Sequence, residues 1–209
     1  MKKKERAEKT KANIIEAAYR TVAERAISGA SMGLISESAN VSKPLLHYHF
    51  KTKAALLEQV LEFVLEKLLE IPMENVSKKI GSMEELQAIF QRYRHTMTTE
   101  PELLVVFFDF WVQSVKNNDI REIIVRRFEG FRGYLSQVVS EGIENGEFGA
   151  EKSHMIPPLM LSLLEGASLQ LISDPEAFNF DLYQFMALEM ITHLACGGSY
   201  GGAAKSKFS

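Results

Sequence analysis

Cysteine is almost missing from this chain: Cys196 is the only one among 209 residues. A single thiol excludes an intrachain disulfide framework and suits a reducing compartment, so a cytoplasmic protein is expected. Long apolar runs are missing too. None reaches the roughly 20 residues that span a bilayer, and the nearest, LLVVFFDFWV, is interrupted by Asp109. The basic start MKKKERAEKTK leads into the mixed stretch ANIIEAAYRTVAER, not into the apolar core of a signal peptide. No membrane partner is expected. Strand-like alternation of useful length is absent, as are a glycine-rich phosphate loop, a G-x-S-x-G elbow and a paired-carboxylate motif. Glu151–His154 is the single E-x-x-H spacing and falls in an expected loop, while Glu189, His193 and Cys196 share one helix face close to a glycine-rich tail. These absences argue against an enzyme and against any metal or cofactor.

What remains is a chain with 46% hydrophobic residues, enough for a sizeable core. Its charge is unevenly placed. Residues 1–53 carry eleven Lys/Arg against five Asp/Glu (net +6), and residues 54–209 carry thirteen against twenty-two (net −9). A compact basic region suits a polyanion, since local cationic surface determines counterion release. The competing reading of the same charge is a lysine-rich, solvated N-terminal tail.

Periodicity predicts an all-α protein of about nine helices. Ile14, Ala18 and Val22 repeat at i+4 and set a first helix over about 7–26, ending near Ser28-Gly29. Ser31 can cap a short second helix carrying Leu34, Ile35 and Ala39, broken by Asn40-Val41. Ser42 can cap a third, with Pro44 in its first turn and Leu46 and Phe50 facing inward. Thr52 caps a fourth, in which Ala54, Leu57, Leu61, Val64 and Leu68 run toward Pro72. After a loop over about 72–81, Ser82-Met83-Glu84-Glu85 has capping-box spacing for a helix to about Met97. Pro101 opens the next, to about Val115. Asp119 with Glu122 caps a long helix closing at Asn145-Gly146. Two more follow, over about 156–173 and from about Asp181 to Gly197-Gly198. The tail GGSYGGAAKSKFS is expected to be disordered.

Two short helices joined by Asn40-Val41-Ser42 and braced by a longer one have the proportions of a helix-turn-helix unit. At about 100° per residue, Pro44, His47 and Tyr48 lie off the Leu46/Phe50 stripe and face outward. His47 and His49 point to nearly opposite sides, which disfavours one shared metal ion. The stretch ISGASMGLISESANVSKPLLHYHFKTKAALL resembles the N-terminal domain of the TetR family of transcriptional repressors, over about 14–57. The resemblance implies phosphate contacts by Ser31, Tyr48 and Lys53, assisted by His49. It also places Ser42, Lys43, Pro44, Leu45 and His47 at the base edges or helix start, with Met32 and Gly33 nearby. Hydroxyls and lysines position such a unit, whereas groups reaching the groove floor specify sequence. Bland readings stand beside these: Lys53 as a solvated helix-start lysine, Tyr48 as a half-buried core ring, Leu45 as core. His47 departs from the family's usual phenol, and Gly33 offers no side chain.

The acidic remainder, with FWVQSVKNNDIREII, GIENGEF and LLEGASLQLISDPEAF, is similar to the ligand-binding region of the BetI-type subgroup over about 107–178. That implies a small-molecule inducer and a homodimer formed by the last two long helices, on which Gly166, Ala167 and Ala187 are small. Candidate ligand-contacting residues are Leu61, Tyr93, Met97, Phe107, Phe110, Trp111, Phe128, Phe131 and Glu165, with Glu165 and Glu189 also open to an ordinary solvated role. Choline, the ligand this subgroup brings to mind, would require an aromatic cage drawn from Trp111, Phe107, Tyr93 and Phe131, and aromatics at helical spacing are more often core. The expected organisation is a DNA-binding domain over 1–53, a connecting helix over 54–70, a ligand-binding and dimerisation domain over 71–196 and a tail over 197–209. The expected function is a ligand-responsive repressor on a palindromic double-stranded DNA operator. A helical small-molecule binder without DNA recognition, or an activator, is the alternative.

Overall fold

The computed structural model describes residues 2–69, 81–176 and 178–196. The predicted tail, the stop at Gly197-Gly198 and most of the loop after Pro72 lie outside the described residues. Ten helices and no strand occur among those described, so the all-α expectation holds with one helix more than predicted. The extra one is α8 (Ala150–Ser153), a single turn over the stretch read as a loop. The chain groups into two compact units, residues 1–71 with 95–129 and residues 72–94 with 130–209.

The first unit begins with α1 (Lys2–Gly29), longer at both ends than the periodicity suggested. Among the described residues its early turns have no buried position to mark them, the first being Ile14. Near its end the helix breaks at Ala26, whose φ of 56° and ψ of 169° are non-helical. The break turns the Ile27 peptide out of the helical ladder, and a buried peptide group needs partners. Both come from other helices. The Ile27 N–H donates to Asp109 Oδ2 of α6 (Glu102–Ser114) at 2.7 Å, and its carbonyl accepts from Lys53 Nζ, at the start of α4 (Lys53–Leu68), at 2.7 Å.

The caps predicted for the three following helices are present. Ser31, Ser42 and Thr52 accept from the backbone N–H three residues on, opening α2 (Met32–Ser38), α3 (Lys43–His49) and α4. Asn40, with φ of 50°, ends α2 in a left-handed turn, with Val41 N bonding Ser36 O and Asn40 N bonding Glu37 O. The buried face of α4 is Leu56, Val60, Leu61, Val64, Leu65 and Leu68. Ala54 is instead exposed and Leu57 only half-buried, a rotation of the predicted stripe by part of a turn.

In the second unit the cap of α5 (Ser82–Thr99) moves one residue upstream. Gly81, not Ser82, holds the cap position, its carbonyl receiving Glu85 N and its N–H reaching Glu84 Oε2. The same kind of shift opens α7 (Asn118–Glu144) in the first unit, where the Asn117 side chain, not Asp119, receives the N–H groups of Asp119 and Ile120. At the far end of α7, Gly146 is left-handed, and the returning chain lays Phe148 across Gly142. A β-carbon at Gly142 would stand 2.4 Å from Phe148 Cδ2 and 2.9 Å from Ser82 Cβ. Helices α9 (Ile156–Ser173) and α10 (Phe180–Ala195) complete this unit, joined by the Tyr183 hydroxyl donating to Leu163 O at 2.6 Å.

Two substitutions should move stability in opposite directions. Ala26→Gly removes strain worth about 1–3 kcal/mol and restores less than that in unfolded-chain entropy, so the urea midpoint should rise by an amount equivalent to about 1 kcal/mol. Gly142→Ala must push the buried Phe148 ring aside and should cost about 2 kcal/mol. Chemical unfolding followed by circular dichroism measures both.

Candidate DNA-reading helix and ligand-contacting residues

The geometry of α3 follows from two anchors. Leu46 and Phe50 are buried, and Ser42 clamps the first turn through Leu45 N at 3.3 Å, with Pro44 where a missing N–H costs little. Most of the remaining residues of the helix are turned outward. Lys43, Pro44 and His47 are exposed, Leu45 is 39% exposed and Tyr48 72%. The core readings of Leu45 and Tyr48 are therefore corrected. His49 is half-buried, with its ring edge-on to Tyr48 at 5.3 Å between centroids.

Ser31 is exposed, with its hydroxyl occupied by Leu34 N at 3.2 Å, and Met32 and Gly33 are half-buried beside it. Gly33 has a neighbour from the next helix. The Lys43 stem lies over it, since a β-carbon there would meet Lys43 Cε at 3.7 Å and Nζ at 3.8 Å. Lys53 is half-buried and gives one N–H to Ile27 O, so only its remaining donors are free to face a phosphate. Neither the solvated nor the purely DNA-directed reading of Lys53 included this internal partner.

The ligand-contact candidates divide between the units. In the first, Leu61, Met97 and Phe110 are among the largest fully buried side chains. Phe107, Trp111 and Phe128 meet in one aromatic cluster together with Phe108, which periodicity did not single out. Phe107 lies at 5.4 Å from Trp111 and 6.3 Å from Phe128, and Trp111 at 5.8 Å from Phe128. Phe107 and Trp111 are edge to face at 81°, so the edge of one ring covers one face of the other. Beside the cluster, Glu62 of α4 binds Arg126 at 3.1 Å and Arg127 at 2.7 Å.

In the second unit, Phe131 is buried and the Tyr93 hydroxyl is 2.5 Å from Ser168 Oγ, with burial pushing the phenol up to about 12. Glu165 is half-buried, and desolvation raises its carboxyl above the ordinary glutamate value against an opposing pull from Arg132. Ser168 and Arg132 carry no signal in the sequence, because what defines them is a contact between distant helices. Among the described residues no three His, Cys, Asp or Glu side chains are grouped to hold a metal ion.

The family pattern described as "Bacterial regulatory proteins, tetR family" matches residues 14–60, and that described as "BetI-type transcriptional repressor, C-terminal" matches residues 82–195, more than half the chain. The chain belongs to the TetR family. It is a transcriptional regulator with a BetI-type C-terminal region. A fatty acid metabolism regulator protein of Bacillus subtilis is 24% identical over 134 residues, 64% of this chain and 68% of that one. Among solved structures, a transcriptional regulator from Saccharomonospora viridis in complex with choline superposes with a TM-score of 0.76 at 18% identity, covering 89% of this chain and 97% of the other. The regulator FadR of Bacillus subtilis in complex with stearoyl-CoA gives 0.73 at 17%, covering 87% and 97%. These structural likenesses establish a shared fold, and the unlike ligands show that the fold alone does not select one.

The raised Glu165 carboxyl has a definite sign. A carboxyl whose folded value lies above its unfolded value favours folding below the unfolded value and loses that contribution as pH rises through the folded one. Glu165→Gln should therefore raise the melting temperature at pH 7.5 and change it less at pH 4, where a carboxyl raised above its ordinary value is mostly protonated. Thermal unfolding at the two pH values measures this.

Proposed function

We propose that this TetR-family regulator is a cytoplasmic, homodimeric repressor that binds a palindromic operator and releases it when a small molecule occupies the C-terminal region. The observation that carries the DNA-binding half is the display of α3, held by the buried Leu46 and Phe50 with Pro44, Leu45, His47 and Tyr48 outward. Ser31, Tyr48, His49 and Lys53 are assigned to phosphates, Ser42 to the helix start, and Lys43, Pro44, Leu45 and His47 to the groove, with Met32 and Gly33 beside them. The functional division into residues 1–53, 54–70 and 71–196 belongs to this reading.

Dimerisation is supported by large apolar side chains left exposed on α9 and α10. Leu169, Ile172, Leu182, Met186 and Phe185, the last 63% exposed, have no reason to face water in a lone subunit. By length and composition α9 could cross a bilayer. Ile156, Met160, Leu164 and Ala167 on one side are buried within the protein, however, which fits a helix between a core and a partner subunit. Two recognition helices about 34–36 Å apart then read one face of the duplex.

For the inducer, the aromatic cluster of Phe107, Phe108, Trp111 and Phe128 suits an apolar body. Leu61, Tyr93, Met97, Phe110, Phe131 and Glu165 are the other assigned contacts. Transmission uses Asp109, which lies on α6 among those aromatics and holds Ile27 N, while Lys53 holds Ile27 O at the start of α4. An inducer that preferred the released arrangement by about 2.7 kcal/mol would weaken operator affinity about a hundredfold.

The test is titration of the purified protein onto the DNA upstream of its own gene, beside sedimentation equilibrium. The expected result is a dimer whose affinity depends on sequence and falls steeply with salt. Phe185→Glu should give monomers that fold normally and lose operator affinity at least tenfold. Binding without sequence preference, or tight operator binding by the monomeric variant, would remove the proposal.

A further inference from the structure

Helix α6 is apolar on two sides. One side, Leu103, Leu104, Val106, Phe107 and Phe110, is buried. The other is a stripe of Pro101, Val105, Phe108, Val112 and Val115, spaced alternately by four and three residues. Pro101 and Val115 flank the helix with helical backbone angles, so the stripe runs along one side from end to end. Pro101 is exposed, Val105 is 50% exposed, Val112 70% and Val115 67%, with Phe108 half-buried between them. A helix apolar on nearly all sides belongs in an interior. Helix propensity does not explain the valines either, because β-branched residues lose side-chain freedom in a helix. The four-and-three spacing is that of a seam made for another helix.

The stripe has a twofold character. Turned end for end about Phe108 it maps onto itself: Pro101 exchanges with Val115, and Val105 with Val112. The flanking charges follow the same rule. Glu102 near one end and Lys116 beyond the other are exposed and lie on the same flank, and among the described residues neither forms an ion pair. In an antiparallel pair of such helices each glutamate meets the lysine of the other copy, whereas a parallel pair sets like charges together. Asp109, midway on this flank, is held by Ile27 N of its own chain. A surface on which residue i meets j while j meets i is complementary to itself.

We propose that α6 is a second self-association surface, pairing antiparallel with α6 of another copy of this chain, Val105 against Val112 and Glu102 against Lys116. That copy is the homodimer partner, because the seam is too small to act alone. About 21 Å long and about 10 Å wide, it covers on the order of 400 Å² in all, below the ~1,000 Å² that an independent interface needs. It closes between copies that α9 and α10 already hold together, where the effective concentration is high. Asp109 bonds α6 to α1 within the unit that also carries α3, so the seam ties one DNA-reading unit to its twin.

This inference rests on the homodimer reading, and its test separates the two. In a Cys196→Ser background the variant V105C/V112C should oxidise to a covalent dimer. V105C or V112C alone should cross-link at least tenfold less, since each cysteine then faces a valine and its twin lies about 10 Å along the helix. Residues 105 and 112 of one chain are the same distance apart and cannot bridge each other. The charges give a second readout. Glu102→Lys should slow the cross-linking at least threefold and E102K/K116E should restore it, because these positions are about 21 Å apart in one chain and meet only across copies. The cross-linked protein should sediment as a dimer. Equal yields from single- and double-cysteine variants, no recovery on charge exchange, or a product that sediments as a tetramer would overturn the seam and leave the α9 and α10 dimer standing. A wild-type protein that sediments as a monomer would remove the homodimer reading, and the seam with it.

Discussion

A buried peptide group at a helix break has to be satisfied from outside its own helix, and in this protein the group is that of Ile27. Its N–H is held by Asp109 of α6 and its carbonyl by Lys53 of α4. Leaving either group unpaired in the interior would cost about 1–3 kcal/mol, comparable with a large share of a typical domain's stability. The left-handed Ala26 that creates the break is therefore tolerated because two other helices use it. The same contacts make the first unit more than a stack of apolar faces. Ring contact between Tyr19 and Phe63 at 5.5 Å adds area between α1 and α4, and the directional Ile27 bonds help to specify how α1, α4 and α6 sit along one another.

This constraint gives the proposed regulation its physical form. Asp109 shares α6 with Phe107, Phe108 and Trp111, so a molecule that displaced those rings would act on a helix already bonded to the end of α1. Lys53, the other partner, opens the helix that follows the helix-turn-helix. In the proposed regulation the signal would cross one residue's peptide group. Salt-sensitive pairs such as Glu62 with Arg126 and Arg127, or Lys67 with Glu100, reinforce α4 from other sides but are partly solvated and weaker.

The sequence was most legible where the chemistry is local. Ser31, Ser42 and Thr52 are bonded as their spacing implies, because an N-cap depends on three or four consecutive residues. It was less legible where two neighbouring residues could serve. Asn117 caps in place of Asp119, and Gly81 in place of Ser82, since both members of each pair satisfy the same local rule and tertiary packing chooses. The break at Ala26 carried no sign at all: alanine is the best helix former, and only the partners at Asp109 and Lys53 justify its backbone. The early turns of α1 escaped periodicity for a related reason, having no buried face. Among the aromatics, Phe107, Trp111 and Phe128, nominated through the resemblance, are neighbours of one another, but the place of Phe108 among them and the Tyr93–Ser168 and Glu165–Arg132 pairings have no sign in the local sequence.

The Lys43 stem resting over Gly33 has a consequence for how such a regulator changes over evolutionary time. A β-carbon at 33 would meet the Lys43 stem at ordinary contact distance, so alanine there would leave the lysine in place, while a longer side chain would compete with it for the same surface. Large side chains at 33 and 43 are therefore coupled through shared space, and the effect of changing one depends on the other.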